Sequence, residues 1–209
     1  MGGSPPVSRE GRVPVRLVVA LVVAALAVLA AGAWLWSGRE APRPATLRAQ
    51  PTSALYALVD SREADPRPLT VAEVFTDATR TLGELRREAV EEFADCADAL
   101  WGVEAGGCTQ ALRATYVGEG AAGQFVILNL PDGRAADAMV AALGSEGFVR
   151  QAVAFDPARS RAEARALGHY VTVSWAGVSP SAAAADLVRP LIDLEGLSAV
   201  VQSRVLDAT

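Results

Sequence analysis

The sequence predicts an α+β domain preceded by one transmembrane helix, on three observations. A run of 20 uncharged residues, from Leu17 to Trp36, stands near the N-terminus. Beyond it, stretches rich in β-branched and aromatic residues alternate with stretches of helical period. Two of the strand-like stretches are joined directly by a short glycine-containing turn, which makes the sheet antiparallel or mixed.

The apolar run reads LVVALVVAALAVLAAGAWLW, with no proline and one glycine. As a helix it spans about 30 Å, the thickness of a hydrocarbon core. A helix satisfies its own backbone hydrogen bonds in lipid. Arg9, Arg12 and Arg16 precede it and Trp34 and Trp36 end it. Flanking positive charge keeps its side cytoplasmic, and indole rings favour the bilayer–water boundary. The expected organisation is a cytoplasmic tail over 1–16, a transmembrane helix over 17–36, a proline-rich stalk over 37–69 and an extracytoplasmic domain over 70–209. The rival is a cleaved signal peptide, because Ala31-Gly32-Ala33 has the small-x-small pattern; it would yield a secreted soluble protein cut near Ala33. The run is longer than a signal core of about 7–15 residues, which favours the anchor.

All 19 basic residues are arginine. The net charge is +2 before the run and −7 after it. An acidic outer domain with scattered arginines lacks the concentrated positive surface that nucleic acid requires. The expected partners are the membrane and another membrane or cell-envelope protein.

Pro42, Pro44, Pro51, Pro66 and Pro68 mark the stalk, interrupted by an apolar island over 54–59 that could dock as a helical turn or a strand. Thr70 and Glu73 have capping-box spacing. A longer helix is expected over 84–100, where Leu85, Ala89, Phe93, Cys96 and Leu100 recur at helical spacing. Strands follow over 111–117 and 124–130 as a hairpin. Asp132 caps a helix running to Leu143, with Ala136, Met139, Val140 and Leu143 inward. A third strand is expected over 148–155. Residues 158–167 read as a short helix or an arginine-rich loop. Residues 169–176 alternate as a strand. Leu187, Leu191, Leu194, Leu197, Val201 and Val205 mark a last helical face, with a kink at Pro190. The element order implies helices on one face of the sheet, resembling the ferredoxin-like group.

Cys96 and Cys108 are the only cysteines, and both follow the membrane run. An exported pair in an oxidising space is read as a disulfide, closing a short loop. Their spacing is not that of a redox pair, and zinc needs three or four ligands. The segments around them, Cys96-Ala97-Asp98-Ala99-Leu100-Trp101-Gly102, Gly107-Cys108-Thr109-Gln110-Ala111-Leu112-Arg113-Ala114-Thr115-Tyr116-Val117 and Leu128-Asn129-Leu130, resemble uncharacterised single-pass membrane proteins of high-GC Gram-positive bacteria. The resemblance covers about residues 68–178 and implies compartment and fold. It carries no activity.

Catalysis needs a nucleophile with a base, tuned carboxylates, a metal or a cofactor loop. The one histidine, His169, starts a strand, where packing explains it. Ser174 and Ser179 stand nearby in sequence without a G-x-S-x-G elbow. Neither a G-x-G-x-x-G nor a Walker loop occurs. Glu91-Glu92, Asp95 with Asp98, and Glu119 read as solvated faces. The arginines at 159, 161 and 165 could meet anionic lipid or polymer, and also read as a solvated face. Trp101 and Trp175 could form a binding ledge, but core burial explains them better. The expectation is a non-catalytic binding or structural module at the cell surface, without cofactor, metal or catalytic residues. An extracytoplasmic hydrolase would need an unfamiliar site built on His169 with Asp or Glu.

Overall fold

The computed structural model describes residues 42–207. The expected tail and transmembrane run lie outside them. Among the described residues no helix is long and apolar enough to cross a membrane.

In chain order the elements are β1 (Thr46–Gln50), a 3-10 turn (Ser53–Val59), α1 (Val71–Val74), a second 3-10 turn (Asp77–Arg80), β2 (Thr81–Leu82), β3 (Leu85–Phe93), a third 3-10 turn (Cys96–Asp98) and β4 (Leu100–Trp101). Then come β5 (Gln110–Val117), β6 (Ala121–Asn129), α2 (Gly133–Ser145), β7 (Phe148–Val149), β8 (Asp156–Leu167), β9 (Tyr170–Val178), α3 (Val188–Glu195), a 3-10 turn (Gly196–Ser198) and α4 (Ala199–Asp207). Seven strands form one sheet in the order β1-β8-β9-β6-β5-β3-β2, and β4 pairs with β7 separately. The β1–β8 pair is parallel and the other neighbours are antiparallel, so the sheet is mixed.

Both faces of this sheet are covered, which corrects the expectation of helices on one face. Val126, Leu128, Val171, Val173 and Trp175 pack under α2 with its Ala136, Met139, Val140 and Leu143. Their neighbours Phe125, Ile127, Tyr170, Ala176 and Val178 pack on the opposite side with Leu194, Leu197, Val200 and Val201 of the C-terminal helices. Successive residues of a strand point to opposite faces, so a central strand buried on both sides reads as a continuous apolar run. The seven-stranded order with two covered faces also departs from the β-α-β-β-α-β ferredoxin-like plan.

The hairpin β5–β6, the helix capped by Asp132 and strand β9 match the sequence reading. The Asp132 side chain accepts from the Ala135 amide at 2.8 Å. The Thr70–Glu73 capping box is also present, although α1 is only one turn long. Three stretches differ. Residues 84–100 form β3 and a 3-10 turn instead of a helix. A bulge between Arg87 and Ala89 inserts one residue, so Leu85 and Val90 share a face at odd spacing, while Phe93, read as the helical partner of Leu85, packs on the opposite face. Residues 158–167 belong to β8 rather than to a helix or loop. There Ala162, Ala164 and Ala166 alternate with Glu163 and Arg165, and the alanines pack under α2. Only Phe148–Val149 of the strand expected over 148–155 pairs as one.

Much of the expected stalk is folded. Thr46–Gln50 is the sheet's edge strand, and Val59 at the end of the following 3-10 turn is fully buried. Arg43 donates to the Leu143 and Gly144 carbonyls at the C-terminus of α2, where a cation is favourable. At the other end Pro190 lies in the first turn of α3, where a missing N–H costs little, and the helical path changes instead at the 3-10 turn Gly196–Ser198.

Cys96 and Cys108 form a disulfide with Cα atoms 6.0 Å apart. It joins the turn after β3 to the loop entering β5, the strand that β3 pairs with.

Candidate functional site

Antiparallel pairing brings one set of strand ends together. Arg86 lies opposite Val117, Val117 opposite Ala122, Ala121 opposite Val178 and Ala176 opposite Arg161. Thr46, where β1 begins, is paired with Arg161 at this same end. Three connections meet here: the β2–β3 turn at Gly83-Glu84, the β5–β6 turn at residues 118–120, and the irregular stretch 179–187 leading into α3.

Two clefts open between them. The first, of about 490 Å³, is lined by Glu84, Glu119, Gly120, Asp186, Arg189 and Asp193, among others. The second, of about 400 Å³, lies beside Thr46, Arg159, Ser160 and Arg161. Ala184, Ala185 and Asp186 contribute to both, so this strap is the wall between them. Arg159 holds the strap by donating to the Ala183 carbonyl at 2.7 Å while its Nε meets Asp156 at 2.7 Å. Two glycines permit the close approach of α3. Gly83 has φ +57°, and a Cβ there would run into the Asp193 carboxylate. A Cβ on Gly123 would meet the Leu194 side chain and the Trp175 carbonyl, both at 2.7 Å.

The first cleft is acidic. Arg189 pairs with Asp193 at 3.3 Å. The Asp186 carboxylate accepts from the Val188 amide at the start of α3. Among the described residues no ion pair reaches Glu84, Glu119 or Asp186. Also among the described residues, no three histidine, cysteine or carboxylate side chains come together as metal ligands.

The opposite end of the sheet carries a buried polar network. Arg204 on α4 is 2 % exposed at its side chain. Its fork grips Glu73 at 2.6 and 2.8 Å, and its Nη1 meets Asp65 at 2.7 Å. It also donates to the Arg67 and Pro68 carbonyls. The Arg204 hydrogen bond holds the Glu73 carboxyl below the usual glutamate range, while that bond pushes Arg204 still higher. The Tyr170 hydroxyl donates to Asp65 at 2.8 Å, and burial together with that bond pushes its phenol up. With every donor of the fork used, the network binds segments 60–74 and 199–207 to each other.

The residues singled out in the sequence are scattered. His169 is fully buried in the tight β8–β9 turn. Its backbone amide and its Nδ1 both meet the Val59 carbonyl, at 2.9 and 2.7 Å. A donating Nδ1 makes Nε2 the bare nitrogen, and Nε2 has no partner. Burial pushes the imidazole below its ordinary value of 6.5, which favours the neutral form. Ser179 bonds instead to the Gly118 carbonyl, and Ser174 is buried on β9. Glu91 pairs with Arg113 at 2.7 Å, Glu92 accepts from Gln110, and Asp95 caps the Cys96–Asp98 turn. Trp175 is buried between Phe148 and Phe155, with ring centroids 5.0 and 4.9 Å away, so it offers no surface ledge. Trp101 is half-buried in the β4–β7 pair. Of the singled-out groups only Glu119, Arg159 and Arg161 line the clefts.

Sequence reading missed Glu84, Asp186, Arg189 and Asp193, which come from separate connections with no common spacing. It also missed Arg204, which carried a readable signal: an arginine inside the apolar stripe Val200, Val201, Val205.

Compared with protein-family models, curated proteins and solved structures, the chain matches none.

Proposed function

We propose that this chain is a single-pass membrane protein whose extracytoplasmic α+β domain is a binding module rather than an enzyme. The observation that carries the reading is the uncharged run of 20 residues preceded by Arg9, Arg12 and Arg16 and followed by a disulfide-bonded domain of net negative charge. Apolar side chains favour lipid, positive flanks stay inside, and disulfides persist in oxidising compartments. On this reading the partner is another membrane or cell-envelope component. It is held at the paired clefts, where three connections from distant parts of the chain converge.

The test has two arms on the full chain. Protease added to intact cells is expected to remove the domain and leave a membrane-bound N-terminal fragment. Recovery of the whole chain from the soluble cell interior with two free thiols would overturn the reading. In the second arm, the detergent-solubilised chain is used to retain envelope proteins and polymers. Gly120→Trp, which fills the first cleft beside Ala185, is expected to abolish specific retention without changing the fold. Retention that survives this substitution would move the site elsewhere.

A further inference from the structure

The strap between the two clefts is fixed at both ends and lightly held in its middle. At one end the Ser179 amide donates to the Gly120 carbonyl at 3.0 Å, and its hydroxyl donates to the Gly118 carbonyl. Those carbonyls belong to the β5–β6 turn, which is closed by the Gly118 amide on Ala121. At the other end Leu187 is buried, and its carbonyl accepts from the Leu191 amide inside α3. Between these ends the Ala182 amide closes one turn on Ser179. Among the described residues no backbone hydrogen bond reaches residues 183–186. Ala183, Ala184 and Asp186 are exposed, and only the methyl groups of Ala182 and Ala185 rest on the α3-side core.

One side chain from outside the strap holds this middle, again among the described residues. Arg159 stands where the register of β8 shifts, and its Nη1 donates to the Ala183 carbonyl at 2.7 Å and to the Ala182 carbonyl at 3.5 Å. Its Nε is steadied by Asp156, and both side chains of that pair are partly exposed. An ion pair open to water is weakly held. Segments with few backbone bonds and few buried apolar contacts are the ones that open locally.

We propose that residues 180–186 form a gate between the clefts, pivoting on Ser179 and Leu187 and latched shut by Arg159. Shut, the strap divides a cleft of about 490 Å³ from one of about 400 Å³. Open, Ala184, Ala185 and Asp186 leave both walls, and a single groove runs from Glu84 and Glu119 to Thr46 and Arg161. The movement gives up two methyl contacts and the bonds of one partly exposed arginine, which water replaces. Both pivots keep their own bonds. The gate bears on the binding role proposed above, because it sets how large an occupant the clefts admit. The movement itself needs no occupant.

The test uses the full chain in detergent micelles without any added partner. Nitroxide labels are placed at Ala184→Cys on the strap and at Glu88→Cys on the exposed part of β3, and their separation is measured by pulsed electron resonance. The expected result is one main separation with a minor second one. Arg159→Ala is expected to raise the second population severalfold. Asp156→Asn, which leaves Arg159 in place, is expected to raise it less, and keeps the test decisive if Arg159→Ala disturbs the fold. A second arm follows disulfide formation between Gly120→Cys and Ala185→Cys. A Cβ on Gly120 would lie 3.5 Å from the Ala185 Cβ, which is bonding distance for a disulfide when the strap is shut. The pair is expected to oxidise readily, and several times more slowly once Arg159→Ala is added. A single separation that neither Arg159→Ala nor Asp156→Asn alters, or an oxidation rate indifferent to Arg159→Ala, overturns the gate. Either result leaves the binding role standing, and a failure of the binding role leaves the gate standing.

Discussion

On the α2 face of the sheet, Trp175 is fully buried, edge-on to Phe148 and Phe155, among aliphatic side chains from β6, β9 and α2. At comparable depth on the α3 face stand Arg204, Asp65 and the hydroxyl of Tyr170, bonded to one another and to Glu73. Packing on the first face is non-directional and grows with the apolar area removed from water. On the second it is directional and depends on each partner being present. The two faces should therefore fail differently when a single side chain is removed.

Trp175→Ala is expected to have the largest effect, a loss of about 4 kcal/mol seen as a lower denaturant midpoint. A smaller substitute such as Trp175→Phe should recover part of it. Arg204→Ala is expected to cost about 3 kcal/mol, because it strands Asp65 in the interior, with Glu73 only partly buried and less affected. The contrast sharpens in the double variant Arg204→Met with Asp65→Asn, which should be more stable than Arg204→Met alone. No second substitution of that kind should rescue Trp175→Ala. If both faces respond alike, the distinction between them is broken. Reduction of Cys96–Cys108, which lies on the α2 side, is expected to cost roughly 3 kcal/mol and to be read as a shift in thermal midpoint. Asp132→Ala should cost about 1 kcal/mol by removing the cap of α2.

The smallest effect concerns pH and the α3 side. Burial depresses the His169 imidazole, so the unfolded chain binds the extra proton more readily than the folded one. Stability from this site is complete above 6.5 and falls as pH drops from there toward the folded-state value. Chemical denaturation at a series of pH values should show that slope, and His169→Phe should remove it.

Which elements were legible in the sequence follows from the same contrast. Strands β5, β6 and β9 are buried on both sides, rich in β-branched and aromatic residues and flanked by turn residues, so burial and local chemistry agreed. Helix α2 carried its cap and its inward stripe in a single stretch. Strand β3 was disguised because one bulge shifts its apolar residues out of period two. Strand β8 was disguised because alanine, a helix former, fills its inward positions. Strand β1 hid between prolines, and only its distant partner β8 reveals it as part of the sheet. The disulfide was legible from the count of two cysteines and the compartment expected for them. The clefts were not, because their carboxylates converge only when the strand ends meet.

The parallel seat of β1 on β8 also orders the assembly of the domain in time. The strand's partner lies more than a hundred residues further along the chain. A chain made from its N-terminus finishes this strand early and then has nothing to pair it with until β8 emerges. Such distant pairing is slow to find. The first of the described strands to be synthesised is thus among the last to be seated, and until then the outer rim of β8 stays open to any extended neighbour.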